Sequence, residues 1–123
     1  MLRQIMLVGL GSAVGGMARF ILGKWIYNIY PHAFPLPTLI INILGCFLIG
    51  LLYGVSIKTV SLTAETRLLL TTGLCGGFTT FSAFAYENIQ LMKSGEYTMV
   101  LVYITASVVL GIVATFLGMG NFR

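Results

Sequence analysis

Aspartate is missing altogether from the 123 residues, and Glu65, Glu87 and Glu96 are the only carboxylates. Paired-acid catalysis and carboxylate metal chemistry therefore have almost nothing to work with. His32 is the sole histidine, without other ligand types nearby in the chain, and reads as a loop residue. The two cysteines, Cys46 and Cys75, lie inside apolar runs with no CxxC pair, so they read as small hydrophobes. No nucleophile-base or metal constellation can be assembled from this inventory, which excludes an enzyme. Charge is scarce too, at 8% of residues against roughly 25% in soluble domains. The net charge of +4 comes from Arg3, Arg19, Lys24, Lys58, Arg67, Lys93 and Arg123, scattered singly. A nucleic-acid footprint needs basic residues gathered on one face, so nucleic acid is excluded as a partner.

What is present is apolar: 58% of the chain is hydrophobic, more than a fold this small can hide from water. The solvent is therefore a lipid bilayer. The composition predicts an all-α membrane protein, one integral membrane domain over 1–123, with four transmembrane helices near 3–28, 37–57, 64–93 and 96–121. The first run carries Gly9, Gly11, Gly15 and Gly16 and is interrupted by Arg19 and Lys24. Its start also resembles a signal peptide, but apolar character resumes after Arg19. The glycines lack the following acidic residue of a dinucleotide fingerprint, and Gly11 and Gly15 at four-residue spacing read as a close-packing face. All three prolines fall in Tyr30 to Pro37, a connection flanked by Trp25, Tyr27, Tyr30 and Phe34, as at a membrane surface.

The second run, Thr38 to Ile57, has one strong polar group, Asn42. An amide in hydrocarbon must find partners, either as interhelical glue or in a cavity. A polar connection from Lys58 to Arg67 follows, with Ser61 or Thr63 as the cap of the next helix and Glu65 in its first turn. Lys93 to Glu96 is a short turn before the fourth run, Tyr97 to Phe122. That run carries Tyr103, Ser107, Gly111 and Thr115 at four-residue steps, a slowly winding stripe at about 40° per step. Hydroxyls bonded back to the helix backbone explain the stripe as well as a polar path does.

The third run, Leu68 to about Met92, contains Gly73-Leu74-Cys75-Gly76-Gly77-Phe78-Thr79-Thr80-Phe81-Ser82-Ala83-Phe84. Adjacent glycines followed by two β-branched threonines predict that the helix breaks near mid-membrane. Backbone interrupted in a bilayer is tolerated only where it binds something or lines a wet cavity, so the break is the candidate binding site. Phe78, Phe81 and Phe84 share a face if the helix resumes near Thr80, as a packing stripe or as a site wall. Neutral donors, backbone N–H groups and ring edges suit a small anion; carbonyls at the end before the break suit a cation.

Basic flanks do not orient the chain: Arg3, Lys58, Arg67 and Arg123 on one side face Lys24, Lys93 and Arg19 on the other. Such balance permits insertion both ways and pairing of opposed copies. One four-helix chain is too small to enclose a pore, which predicts an obligate homodimer.

The long third motif, with Asn42-Ile43-Leu44-Gly45-Cys46-Phe47 and Gly15-Gly16-Met17-Ala18-Arg19-Phe20, closely resembles the three signature stretches of the Fluc (CrcB) fluoride channels, in order and at matching spacing. The resemblance implies a dual-topology antiparallel homodimer with two pores that passively export fluoride across the inner (plasma) membrane. It implies a fluoride path of Asn42, Phe81, Ser82, Phe84, Tyr103, Ser107 and Thr115, with Phe81 and Phe84 edge-on to the ion and Arg19 near the aqueous vestibule. It further implies a structural Na⁺ at the dimer centre, held by main-chain carbonyls of Gly76 and Thr79 from each chain. Two departures thin the hydroxyl track: Ala83 stands where many members carry Thr or Ser, and Gly111 where several carry Ser. The rival readings are a small dual-topology multidrug transporter, which needs an acid in the first helix that this chain lacks, and a non-transporting membrane subunit, which gives no reason for a break.

Overall fold

The computed structural model describes residues 1–58 and 62–120. Ser61, Phe122 and Arg123 lie outside the described residues. Among the described residues every regular element is helical, without a strand: α1 (Leu2–Ile29), α2 (Leu36–Lys58), α3 (Ala64–Leu68), a π-helical segment (Leu69–Cys75), α4 (Gly76–Phe78), α5 (Ser82–Lys93) and α6 (Tyr97–Met119). Four stretches are long and apolar enough to cross a membrane, Leu2–Ile29, Leu36–Val55, Ala64–Lys93 and Tyr97–Met119. The chain is a multi-pass membrane protein whose outward side chains, such as Phe20, Ile21, Leu101 and Phe116, are apolar and exposed.

Local chemistry sets the helix ends. Pro35 and Pro37 open α2, where a missing N–H costs nothing, and the Pro35 carbonyl accepts from Leu39 N–H at 3.2 Å. Thr63 caps α3, its hydroxyl accepting from Thr66 N–H at 3.1 Å, and Glu65 in the first turn pairs with Arg3 at 2.8 Å. Gly95 turns the chain between α5 and α6 with φ of 77°, a left-handed position that lets Glu96 N–H reach back to the Leu91 carbonyl at 2.9 Å.

The helices pack as two close pairs. α2 lies along α6, and α1 lies along the π-helical segment and α4. Glycines permit both approaches. A Cβ on Gly11 would stand 2.5 Å from the Leu69 carbonyl oxygen, and one on Gly77 would stand 2.5 Å from that of Ser12. Between α2 and α6, side chains on Gly50 and Gly118 would collide with the carbonyls of Thr115 and Phe47.

This use of glycine differs from the sequence expectation. Gly73, Gly76 and Gly77 stay helical, and the chain leaves the helix only after Phe78, to resume at Ser82. In a bilayer each unpaired backbone group costs several kcal/mol, so glycine does not release the helix unaided; at Gly73 and Gly77 the missing side chain makes room for α1. The widened π turn just before the break carries Thr71, whose hydroxyl returns to the Arg67 carbonyl at 2.7 Å. Phe78 lies before the interruption and is buried, whereas Phe81 begins the second half and is 78% exposed. The phenylalanines at 78, 81 and 84 therefore do not form one continuous stripe.

Candidate functional site

The interruption at residues 79–81 is held open by substituted hydrogen bonds. Thr79 is extended, with φ −90° and ψ 161°. The Asn42 side chain meets Thr80 twice: its Nδ2 donates to the Thr80 carbonyl at 3.0 Å, and its Oδ1 accepts from Thr80 N–H at 2.9 Å. In a continuous helix that N–H would bond the carbonyl of Gly76, four residues back; Asn42 diverts it. Ala83 N–H, the helical donor for the Thr79 carbonyl, goes to the Thr80 hydroxyl at 3.1 Å. The Gly77 carbonyl accepts from Arg19 Nε at 3.3 Å. The carbonyls of Gly76, Gly77, Phe78 and Thr79 all lie without their helical donors; those of Gly76 and Thr79 are the two whose donors go to side chains instead.

A cavity of about 400 Å³ opens at the break and brings together Asn42, Gly76, Thr79, Phe81, Phe84 and Ser107. The Phe81 and Phe84 rings lie 5.6 Å apart at 44°, and Phe84 continues onto Tyr103 at 4.9 Å. Tyr103 also receives the edge of Phe34 at 5.6 Å. Ser82 is exposed beside the break, its hydroxyl 3.2 Å from that of Thr80. Thr115 stands apart from this cavity and donates to the Gly111 carbonyl at 3.0 Å, the backbone-bonded alternative for that hydroxyl. Arg19 lines a different cavity, of about 390 Å³, together with Lys24, Thr38, Thr80 and Glu87. Thr80 borders both cavities, so the Asn42–Thr80 pair stands between them.

Three contributors escape a sequence reading. Glu87, noted in the sequence only as one of three carboxylates, accepts from Tyr103 Oη at 2.7 Å and from Thr38 Oγ1 at 2.7 Å. Tyr103 is fully buried, and its hydroxyl donates its hydrogen bond to that carboxylate. Thr38 reads only as the start of an apolar run, and Thr80 only as a helix breaker. The available signal was Glu87 itself, a carboxylate at the edge of a span that must find partners on neighbouring helices.

The arrangement offers two chemistries side by side. The start of α5 presents partial positive charge, with the Ala83 and Ala85 N–H groups already bonded to the Thr80 hydroxyl and the Phe81 carbonyl, and the ring edges of Phe81 and Phe84 are the positive part of their quadrupoles; both suit a small anion. The carbonyls released at Gly76 and Thr79 suit a hard cation.

Sequence comparisons bear on this geometry. Residues 6–119 match the family model described as CrcB-like protein, Camphor Resistance (CrcB). A protein of Azobacteroides pseudotrichonymphae named fluoride-specific ion channel FluC is 42% identical over 96% of this chain and 94% of its own. Proteins of the same name from Prosthecochloris aestuarii and Methylobacillus flagellatus are 44% and 45% identical, covering 97% and 94% of this chain and 92% and 91% of theirs.

Proposed function

We propose, from the premise that this chain belongs to the CrcB-like family, that it is a passive fluoride-specific channel of the plasma membrane whose ion path runs through the break in its third span. The observation that carries the reading is the Asn42–Thr80 pair. It keeps backbone interrupted inside an apolar span, beside a cavity walled by two phenylalanines. A purely structural span gains nothing from such an interruption. The anion meets ring edges, the N-terminal N–H groups of α5 and the Ser107 hydroxyl, contacts numerous enough to replace water and weak enough to let the ion leave. Since the Tyr103 hydroxyl donates its hydrogen bond to Glu87, its part in the path is to fix the Phe84 ring rather than to donate to the ion. Arg19 holds the end of α4 and adds positive charge to the neighbouring cavity.

The path is completed by a second, oppositely oriented copy, giving two pores per dimer. The open cavity at the break and the 78% exposure of Phe81 support this, because an anion-coordinating ring left facing lipid would coordinate nothing. The released carbonyls fit a structural Na⁺, with Gly76 and Thr79 of each protomer as its holders. Such an ion would supply a fixed positive charge tying the two breaks together.

The test is fluoride efflux from liposomes holding the purified chain, with chloride as the control. Fluoride release without chloride release is the expected result. Equal passage of both anions, or passage of neither, would overturn the reading.

A further inference from the structure

We propose that Cys46 lines the conduction path, its thiol standing where α6 has no side chain, and that it is the path's covalently addressable residue; this rests on the channel reading above. Two cavities meet at Cys46. The cavity at the break and a second of about 500 Å³ along α6 share three wall residues, Cys46, Ser107 and Val108. A solute moving from one cavity to the other crosses that neck.

The polar atoms of the neck are the thiol and the Ser107 hydroxyl. The Ser107 oxygen is buried and has no hydrogen-bond partner among the described residues, against the rule that buried polar groups are paired. A hydroxyl kept open between two cavities is available to a guest. Beyond Ser107, α6 offers no further free donor: Gly111 has no side chain, and the Thr115 hydroxyl is committed to the Gly111 carbonyl. Ser107 and Thr115 are eight residues apart, about 12 Å along the helix. The sulfur of Cys46 occupies this interval. It lies 3.4 Å from the point where a Cβ on Gly111 would stand, so the empty position on α6 makes room for a group from α2. The half-buried, unpaired thiol is a weak donor on a polarisable atom, the grade of contact that lets an ion pass rather than stay. Cys46 thus departs from the small-hydrophobe reading, while Cys75, which borders the cavity at the break but not the second one, is 3% exposed and keeps it.

The experiment uses the full chain in liposomes, with fluoride efflux recorded before and after methyl methanethiosulfonate. The Cys46 thiolate attacks the reagent's sulfenyl sulfur, an S–S bond forms, methanesulfinate leaves and the thiol proton passes to water. Peptide mass spectrometry locates the methylthio group. Labelling of Cys46 should slow efflux on the order of tenfold or more, and dithiothreitol should restore it. Cys46→Ala and Cys46→Ser should ignore the reagent. Untreated, Cys46→Ala should run about fivefold slower than wild type, for one lost donor, and Cys46→Ser within about twofold. Undiminished flux through labelled protein, failure of Cys46 to label, or equal slowing of Cys46→Ala by the reagent each overturns the proposal alone. A wild-type chain that passes no fluoride before treatment overturns the channel reading, and this proposal with it.

Discussion

Replacing Asn42 by alanine should close the break. The side chain makes two hydrogen bonds to the backbone of Thr80, at 3.0 and 2.9 Å, and alanine removes both while leaving the Thr80 N–H and C=O in an apolar span. Each group left without a partner costs about 1–3 kcal/mol, so the open conformation loses roughly 2–6 kcal/mol. The freed N–H can return to the Gly76 carbonyl, its partner in an unbroken helix, and that bond stabilises the closed form. A loss of at least about 2 kcal/mol from the open form lowers the population of the conducting form by roughly 30-fold or more. Asn42→Asp separates the two bonds: the carboxylate still accepts from Thr80 N–H but cannot donate to the Thr80 carbonyl, so a break kept open mainly by the diverted N–H should survive in part. Fluoride efflux from liposomes at matched protein content reports the loss, and hydrogen exchange at Thr80 reports closure as increased protection. Efflux by Asn42→Ala within about twofold of wild type would refute the reasoning.

Three further outcomes follow from the same geometry. Phe81→Ile and Phe84→Ile keep the volume apolar but remove the ring edge, and each should cut fluoride efflux about tenfold or more without changing the elution volume on gel filtration. Gly77→Ala brings a methyl group to 2.5 Å from the Ser12 carbonyl oxygen and should lower the apparent melting temperature in detergent, at an overpacking cost of about 1–3 kcal/mol. Gly9→Ala, with open space around it, should leave melting unchanged or raised. Replacing Na⁺ by a bulky organic cation should silence efflux or dissociate the assembly; full activity there would remove the assignment of Gly76 and Thr79 as its holders.

The four spans were legible because length and hydropathy decide them almost alone, and the end signals were local: Pro35, Thr63 and Gly95 stand where their backbone chemistry requires. The interruption was also foreseeable, but its mechanism was not. Glycine propensity is a property of one segment, whereas the break depends on Asn42, 38 positions earlier, reaching Thr80. Asn42 was visible as an amide needing partners; which backbone it served could be seen only once α2 and the third span were packed together. Glu87 was misweighted for the same reason, since its two partners, Thr38 and Tyr103, come from the second and fourth spans. The stripe on α6 dissolved into separate fates: Tyr103 bonds a carboxylate, Ser107 stays open, and Thr115 turns back on its own helix. Periodicity placed these side chains near one face without saying what each would meet.

An interrupted span is stable here because it exchanges partners rather than losing them. Thr80 N–H and C=O go to Asn42, Ala83 N–H goes to the Thr80 hydroxyl, and the Gly77 carbonyl goes to Arg19. Each substitution satisfies a group at the break, yet each donor diverted to a side chain leaves its former acceptor without a helical bond. The exchange cannot balance within the span itself: it withdraws the helical donors of the Gly76 and Thr79 carbonyls, next to a helix start with excess N–H. A break built this way separates charge, with acceptors on one rim and donors on the other, a few ångströms apart inside lipid. Acceptors on one rim and donors on the other suit the fixed cation and the moving anion proposed above, and if both depend on this break, removing Asn42 should weaken the two sites together.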